Sequence, residues 1–340
     1  MKKFAFLGAL SIAALGAGMA AAGTLEDVKA RGELLCGSNA GLAGFSAPDA
    51  AGVYQGFDVA MCRAIAAAVL GDPMKVKVVP LSSETRFTAL SAGEVDLLAR
   101  TSTWTFSRDT DLKLDFVAVN YYDGQGFMVK KSLGVSSAKE LDGATVCIQT
   151  GTTTELNLAD YFKSNGMTYQ PVPLKDNAEA EQQYSAGACD VYTTDASGLA
   201  ATRATFADAG EHVILPEIIS KEPLALVVRH GDNQWADIVR FTFDALIAAE
   251  EFGITSANVE EMSAAAGTNP EINRLLGTDE TDLGAMMGLD KDWAKRAIMA
   301  GGNYGEIFAA NIGEATPIGL ARGLNALWTQ GGLQYSPPFR

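Results

Sequence analysis

The chain alternates short β-like runs with helix-like runs, breaks off, and then begins the same alternation again. Gly32-Glu-Leu-Leu-Cys36 reads as a strand, and Phe57 to Leu70 as a helix with apolar residues at steps of three and four. Val76-Lys-Val-Val-Pro80 reads as a strand, Thr85 to Ala92 as a helix and Val95-Asp-Leu-Leu-Ala99 as a strand. Parallel strands need a crossover between them, usually a helix, so this order predicts βαβ units around a mostly parallel sheet. The second series runs through Ala144 to Gln149, Thr154 to Ser164, Tyr169 to Pro173, Ala178 to Ala186 and Asp190 to Thr193. The fold class is therefore α/β, with two such units.

Two segments are placed to connect the units: Tyr121-Tyr-Asp-Gly-Gln-Gly-Phe127 and Ile218-Ile-Ser-Lys-Glu-Pro-Leu224. After the second, Ala225-Leu-Val-Val-Arg229 looks like a strand returning to the first unit. Lobe I is thus expected to be discontinuous, residues 23–122 and 223–340, with lobe II, residues 123–222, inserted into it. Beyond Gly253 the chain reads as helical and polar, with loop signals at Thr268-Asn-Pro270 and Gly301-Gly302 and an irregular arm at Ser336-Pro-Pro-Phe339. No tight internal repeat or low-complexity tract stands out.

Residues 1–22 have the layout of a secretory signal peptide: Lys2-Lys3, an apolar stretch from Phe4 to Leu15, and Ala20-Ala-Ala22 as a cleavage site. The apolar part is short for a membrane span, and the mature chain is expected to be exported and soluble. In an oxidising compartment the 4 cysteines argue for two disulfides. Four cysteines allow three pairings; Cys36–Cys62 and Cys147–Cys189 join residues near in sequence and keep each bridge inside one lobe. A net charge of −15, more negative once Lys2 and Lys3 are gone, disfavours nucleic acid and anionic lipid as partners.

Candidate chemistry begins at Thr150-Gly-Thr-Thr-Thr-Glu155, small residues between a strand-like and a helix-like run. Such a turn leaves backbone N–H groups unpaired at a helix N-terminus, which suits an anion such as a carboxylate. A second apolar stretch ends in Tyr192-Thr-Thr-Asp195, placing one acid where a strand would stop. An anion seat and a lone carboxylate at neighbouring strand ends would suit a zwitterion. The usual catalytic groups are scarce. There are 2 histidines, His212 and His230, in no metal-ligand spacing, and no GxSxG, phosphate loop or Rossmann glycine pattern. Neither a metal nor a cofactor is expected.

In order and spacing these motifs resemble the periplasmic amino-acid-binding proteins of ABC importers (solute-binding protein family 3), from Thr24 to Gly253 and again at Asn303-Tyr-Gly-Glu-Ile-Phe308. The residues that carry the likeness are Gly56-Phe-Asp58, Arg86, Gly93-Glu-Val-Asp-Leu97, Thr101-Ser-Thr103 with Ser107-Arg108, Leu114-Asp-Phe116, Thr150-Gly-Thr-Thr153 and Cys189-Asp-Val-Tyr-Thr-Thr-Asp195. The long tail and Tyr121-Tyr-Asp-Gly-Gln-Gly126 look most like the general L-amino-acid-binding branch, whose insertion would be about 254–292 here.

The resemblance implies a two-lobed periplasmic binding protein fold (the Venus flytrap), with a helical C-terminal extension. It also implies an L-amino-acid ligand, a membrane-embedded permease as partner, and a monomer without enzymatic activity. By position, Arg108 would fork onto the α-carboxylate, a task suited to a planar, always-charged guanidinium. Thr101 and Thr103 would contact the ammonium and carboxylate, Thr152 and Thr153 would form the anion seat, and Asp195 would take the ammonium. Ser83 and Arg86 match positions facing the ligand side chain, which favours Glu, Asp and their amides; a residue as small as Ser83 leaves room for broad specificity. Phe45 and Trp104 are either pocket walls or core. An exported enzyme on the same fold, such as a cyclohexadienyl (prephenate or arogenate) dehydratase relative, is the rival expectation.

Overall fold

The computed structural model describes residues 23–340 apart from Ala266 and Thr268. The expected signal segment, residues 1–22, lies outside the described residues, as does Thr268 of the expected loop. Among the described residues no helix is long and apolar enough to cross a membrane.

The two alternating series form two separate five-stranded sheets. The first unit contributes strands β1 (Leu34–Ser38), β2 (Ala47–Pro48), β3 (Tyr54–Gln55), β4 (Val76–Pro80), β5 (Leu97–Thr103) and β6 (Leu114–Asp123). Its helices are α1 (Thr24–Arg31), α2 (Phe57–Leu70), α3 (Arg86–Ser91) and α4 (Phe106–Thr110). The second contributes β7 (Gln125–Lys130), β8 (Thr145–Gln149), β9 (Gln170–Leu174), β10 (Val191–Asp195) and β11 (His212–Ile214), with helices α5 (Thr153–Ser164), α6 (Asn177–Ser185) and α7 (Ala196–Thr205). Strand β12 (Glu222–Arg229) then returns to the first sheet and pairs antiparallel with both β5 and β6. The orders are β4-β1-β5-β12-β6 and β11-β7-β10-β8-β9.

Strands β4, β1 and β5 are parallel, as are β9, β8 and β10, so each set ends at one edge of its sheet. Loops leaving such ends are where an open α/β sheet presents its binding groups. The two edges face each other: the Thr150 hydroxyl donates to Glu84 at 2.7 Å across the gap. Between the sheets the chain crosses at Gly124 and again between β11 and β12. The two crossings lie side by side. A Cβ on Gly124 would stand 2.3 Å from the Ile218 side chain and 2.8 Å from the Ser220 carbonyl, so only glycine fits.

The tail departs from its polar reading. Helix α8 (Asn233–Glu251) precedes it, and the tail itself is helical, with α9 (Val259–Ala264), α10 (Pro270–Leu275), α11 (Leu283–Met287), α12 (Trp293–Gly301) and α13 (Tyr304–Asn311). Its apolar residues belong to the core, though. Trp293, Ala294, Ala297 and Ile298 of α12 are buried in the same cluster as Ala64, Ile65 and Ala68 of α2. A stripe at these spacings marks a core-facing helix. It also explains why α2 is buried almost all round, rather than on the single face that its periodicity predicts.

The arm at the C-terminus is anchored too. Phe339 is buried against Phe241 and Trp293, and Asn325 accepts from the Tyr122 N–H at 2.7 Å and donates to its carbonyl at 3.1 Å. In Asn303-Tyr-Gly-Glu306 the Asn303 side chain accepts from the Glu306 N–H while the Glu306 carboxylate accepts from the Asn303 N–H. The pair forms a capping box that starts α13.

Cys36 on β1 is bonded to Cys62 on α2, and Cys147 on β8 to Cys189 just before β10, with Cα separations of 6.2 and 5.6 Å. Each bridge stays within one lobe and contributes on the order of 2–4 kcal/mol by restricting the unfolded chain.

Candidate functional site

The facing strand ends enclose a cavity of about 40 Å3. One water centre needs roughly 10–15 Å3, so the cavity leaves room for a few waters. Lobe I lines it with Asn39, Leu42, Ser83, Arg86, Arg100, Thr101 and Thr103. The other wall runs from Gln149 through Thr152, Thr153 and Thr154 to Asn177, Tyr192, Thr194, Asp195, Ser197 and Gly198.

Local structure explains the placement. Strand β5 runs on past the expected Ala99 to Thr103, carrying Arg100, Thr101 and Thr103 to the cavity. Thr101 adopts φ 42°, a left-handed conformation rare for a β-branched residue, and its hydroxyl accepts from the Asn39 amide at 3.1 Å. On lobe II, Thr152 is the N-cap of α5. Its hydroxyl accepts from the Glu155 N–H at 3.4 Å and donates to the Gln149 carbonyl at 2.7 Å. The N-terminal turn of a twelve-residue helix therefore opens on the cavity, as the sequence predicts.

Three guanidinium groups gather on the lobe I side. Arg86 is 3 % exposed and its Nε has no hydrogen-bond partner. Its charge sits 4.7 Å from the Phe87 ring centroid, and that of Arg108 5.0 Å from the same centroid. Arg100 donates from Nε to the Leu81 carbonyl at 3.0 Å and from Nη2 to Ser83 Oγ at 3.2 Å. Burial lowers the pKa of all three, that of Arg100 to about 10, and the neighbouring cations Arg100 and Arg108 depress Arg86 further. A buried cation with an open hydrogen-bonding edge is strongly favoured to take up an anion.

Asp195, at the end of β10, is the only carboxylate in the lining. Burial, then the charges of Asp123 and Glu222, push its pKa well above the usual carboxylate range, against the pull of Arg86 and Arg108. Asp123, at the crossing, is pushed up to about 6, chiefly by burial. A ligand ammonium at Asp195 would supply the missing positive charge.

Of the residues predicted from sequence, Ser83, Arg86, Thr101, Thr103, Thr152, Thr153 and Asp195 line the cavity together. Arg108 stands behind that wall, with Nη1 donating to the Thr103 carbonyl at 2.9 Å. Phe45 is core, edge-to-face with Phe57 and Tyr121, and Trp104 is 46 % exposed, so neither is a pocket wall.

Sequence reasoning missed Asn39, Arg100, Gln149, Asn177 and Glu222. Arg100 had a readable signal, a charge inside the apolar run Leu97-Leu-Ala-Arg100. Glu222 had none: it lay in a presumed connector. Its buried carboxylate accepts from Thr103 at 2.6 Å, Thr153 at 2.8 Å, Asn157 at 2.7 Å and Ser220 at 2.6 Å, tying both lobes to the crossing. The histidines lie elsewhere: His212 faces Tyr184 and Asp208, and His230 is near Asp115. Among the described residues no group of His, Cys, Asp and Glu is arranged to hold a metal.

Residues 34–257 match the bacterial extracellular solute-binding proteins, family 3. The chain belongs to this family. The solute-binding protein is 73% identical over 340 residues, the whole of both chains, to the glutamate/glutamine/aspartate/asparagine-binding protein BztA of Rhodobacter capsulatus. It is 57% identical over 331 residues to the general L-amino acid-binding periplasmic protein AapJ of Rhizobium johnstonii, covering 97% of this chain and 96% of that one. Among solved structures it resembles an ABC transporter periplasmic binding protein from Brucella ovis with glutathione bound. That match has a TM-score of 0.91 and 56% identity, over 94% of this chain and 100% of the other. The fold is the two-lobed α/β fold of periplasmic binding proteins, with helices in its C-terminal part.

Proposed function

We propose that this chain is the periplasmic substrate-binding component of an ABC importer for L-amino acids, taking glutamate, aspartate, glutamine, asparagine and others. One observation carries the reading: a lone carboxylate on one wall of the cavity stands across from buried guanidinium groups on the other. In it Asp195 takes the α-ammonium. Arg108, Thr101, Thr103 and the helix start at Thr152 and Thr153 serve the α-carboxylate, and Ser83 and Arg86 face the side chain. Lobe I is assigned to residues 23–122 and 223–340, lobe II to 123–222, and residues 1–22 to a cleaved signal peptide.

Ligand groups that touch both walls favour the closed form over the open one, and that difference is what drives closure. The closed monomer would then be what the membrane permease recognises. The names of the close relatives, all binding proteins, support binding over the rival dehydratase reading. Glutathione, found in the Brucella ovis relative, belongs with the amino acids to be tried.

The test is a thermal-shift screen of the twenty amino acids, followed by calorimetry on those that stabilise and recovery of the ligand. Tight binding with the ligand returned unchanged is expected. Consumption of prephenate or arogenate, or no response to any amino acid, would overturn the reading.

A further inference from the structure

One charged side chain runs along the lobe I wall of the cleft. Arg100 sits on β5 beyond its last pairing with β1, Gly37 with Leu98, and its Nε donates to the carbonyl of Leu81, which directly follows β4. The sheet order is β4-β1-β5, so the side chain reaches across the end of β1 towards the edge of the sheet. There its Nη2 donates to Ser83 Oγ at 3.2 Å. A guanidinium carries five N–H donors, and these two bonds leave the others without an acceptor among the described residues. No ion pair engages Arg100 among the described residues either. A second cavity, of about 100 Å3, adjoins the first; both are lined by Arg100, whereas Arg86 lines the first alone. Asp195 and Thr103 lie at the opposite end of the cleft, because Asp195 pairs with Gln125 and Thr103 with Leu224, beside the crossings.

We propose that Arg100 is the residue that reads the ligand side chain, donating to its carboxylate or amide oxygen, and that Ser83 is a positioning residue that acts through Arg100. The inference rests on the amino-acid reading above, which fixes the α-ammonium at Asp195. A side chain leaving that end of the cleft extends towards the sheet edges, and the cation standing there is Arg100. Its two bonds to lobe I do not satisfy it; they aim it. With Nε and one Nη2 hydrogen held by Leu81 and Ser83, the guanidinium plane is fixed and its remaining N–H groups are left for a ligand. Fixing the donors beforehand removes the cost of ordering a long side chain on binding. The chemistry also accounts for a mixed specificity. A guanidinium donates to a carboxylate oxygen and to an amide carbonyl alike, and its charge adds strength to the carboxylate bond. Ser83 Oγ spends a lone pair on Arg100, so its contribution to selectivity passes through the guanidinium it holds.

Calorimetry of the mature protein with L-glutamate, L-glutamine and L-alanine tests this in the wild type, Arg100→Met, Ser83→Ala and the double variant. Methionine is unbranched and comparably long, so it fills the space without the donors. Arg100→Met should weaken glutamate and glutamine by about tenfold or more relative to alanine, which shares their α-groups but carries nothing for Arg100 to hold. Ser83→Ala should shift the same ratio in the same direction by about threefold. The double variant should lose no more selectivity than Arg100→Met alone, because a residue that acts only through another adds nothing once that other is gone. Equal losses for all three ligands in a cooperatively melting Arg100→Met would make Arg100 structural and overturn the assignment. Additive losses in the double variant would mean that Ser83 touches the ligand itself, and would overturn its positioning role. Should Arg100→Met fail to melt cooperatively, Arg100→Lys, which keeps the charge but not the planar fork, is read by the same ratio and the same double variant. If the wild type binds none of the three ligands, the amino-acid reading falls and takes the role of Arg100 with it.

Discussion

The two walls of the cleft are chemical opposites. Lobe I brings the cations Arg86, Arg100 and Arg108; lobe II brings one acid, Asp195, and the N-terminal turn of α5. Each wall is electrostatically incomplete, with an unpartnered Nε on Arg86 and a carboxyl held towards its neutral form on Asp195. No ion pair joins Arg86 to Asp195 among the described residues. What does join the lobes is hydrogen bonding: Thr150 donates to Glu84, and Glu222 holds the hydroxyls of Thr103 and Thr153 to a single carboxylate oxygen. The contrast teaches that neither lobe alone is a receptor for an amino acid. The fold aligns the halves through Glu222 and leaves the charges for a zwitterion to complete.

The largest effects should come from removing a group that every amino acid shares. Asp195→Ala takes away the single carboxylate of the lining, and breaking a buried charge pair costs roughly 3–5 kcal/mol, about two to nearly four orders of magnitude in affinity. Calorimetry should find that loss for every amino acid bound. Arg108→Ala is expected to act equally broadly if Arg108 has its proposed role as counter-charge of the α-carboxylate. It is the sharper test, because Arg108 stands behind the lining with Nη1 committed to Thr103. Unchanged affinities in that variant would transfer the α-carboxylate to Arg86 and the start of α5.

A smaller and selective effect is expected of Arg86→Ala. If this guanidinium faces the side chain, glutamate and aspartate should weaken by about tenfold or more relative to alanine and serine, since all four share their α-groups. Affinities of the four ligands in wild type and variant measure the difference. A uniform loss would move Arg86 from the side-chain end of the cavity to the α-end.

The α/β class and the two series were legible because period-2 and period-3.6 patterns are local, and α2 and β4 have the very limits the pattern gives, Phe57–Leu70 and Val76–Pro80. The start of α5 was legible for the same reason: a strand, small residues and an N-cap threonine are neighbours in sequence. Arg100 and Glu222 were harder. Their roles depend on which strand ends lie beside which, and β12 returns to β5 only after an intervening lobe. The core role of α12 went unread because its partner, α2, lies far away in sequence, although Trp293, Ala294, Ala297 and Ile298 stand at core-facing helical spacing.

The smallest effect sharpens the comparison through pH. Burial raises the pKa of Asp58 and Asp244, both in lobe I, to about 7, and that of Asp123 to about 6, all from an ordinary value of 3.8. An acid with a raised folded pKa penalises the fold when ionised. The penalty is complete above the folded value and vanishes below the unfolded one. The ligand-free protein should therefore melt at a higher temperature at pH 5 than at pH 8. The increment in melting temperature caused by a ligand should run the other way if, as proposed, the ammonium pairs with ionised Asp195, whose pKa is raised in the empty cleft. That increment should shrink on acidification, with proton release detectable when calorimetry is repeated in buffers of different ionisation enthalpy. In Asp195→Asn the ligand-free trend should persist, since Asp58, Asp123 and Asp244 remain, while the pH dependence of any residual increment disappears. A ligand increment that stays constant from pH 8 to pH 5 in the wild type would mean that the ammonium is held by neutral acceptors such as Thr101 and Thr103, and that Asp195 is not its counter-charge.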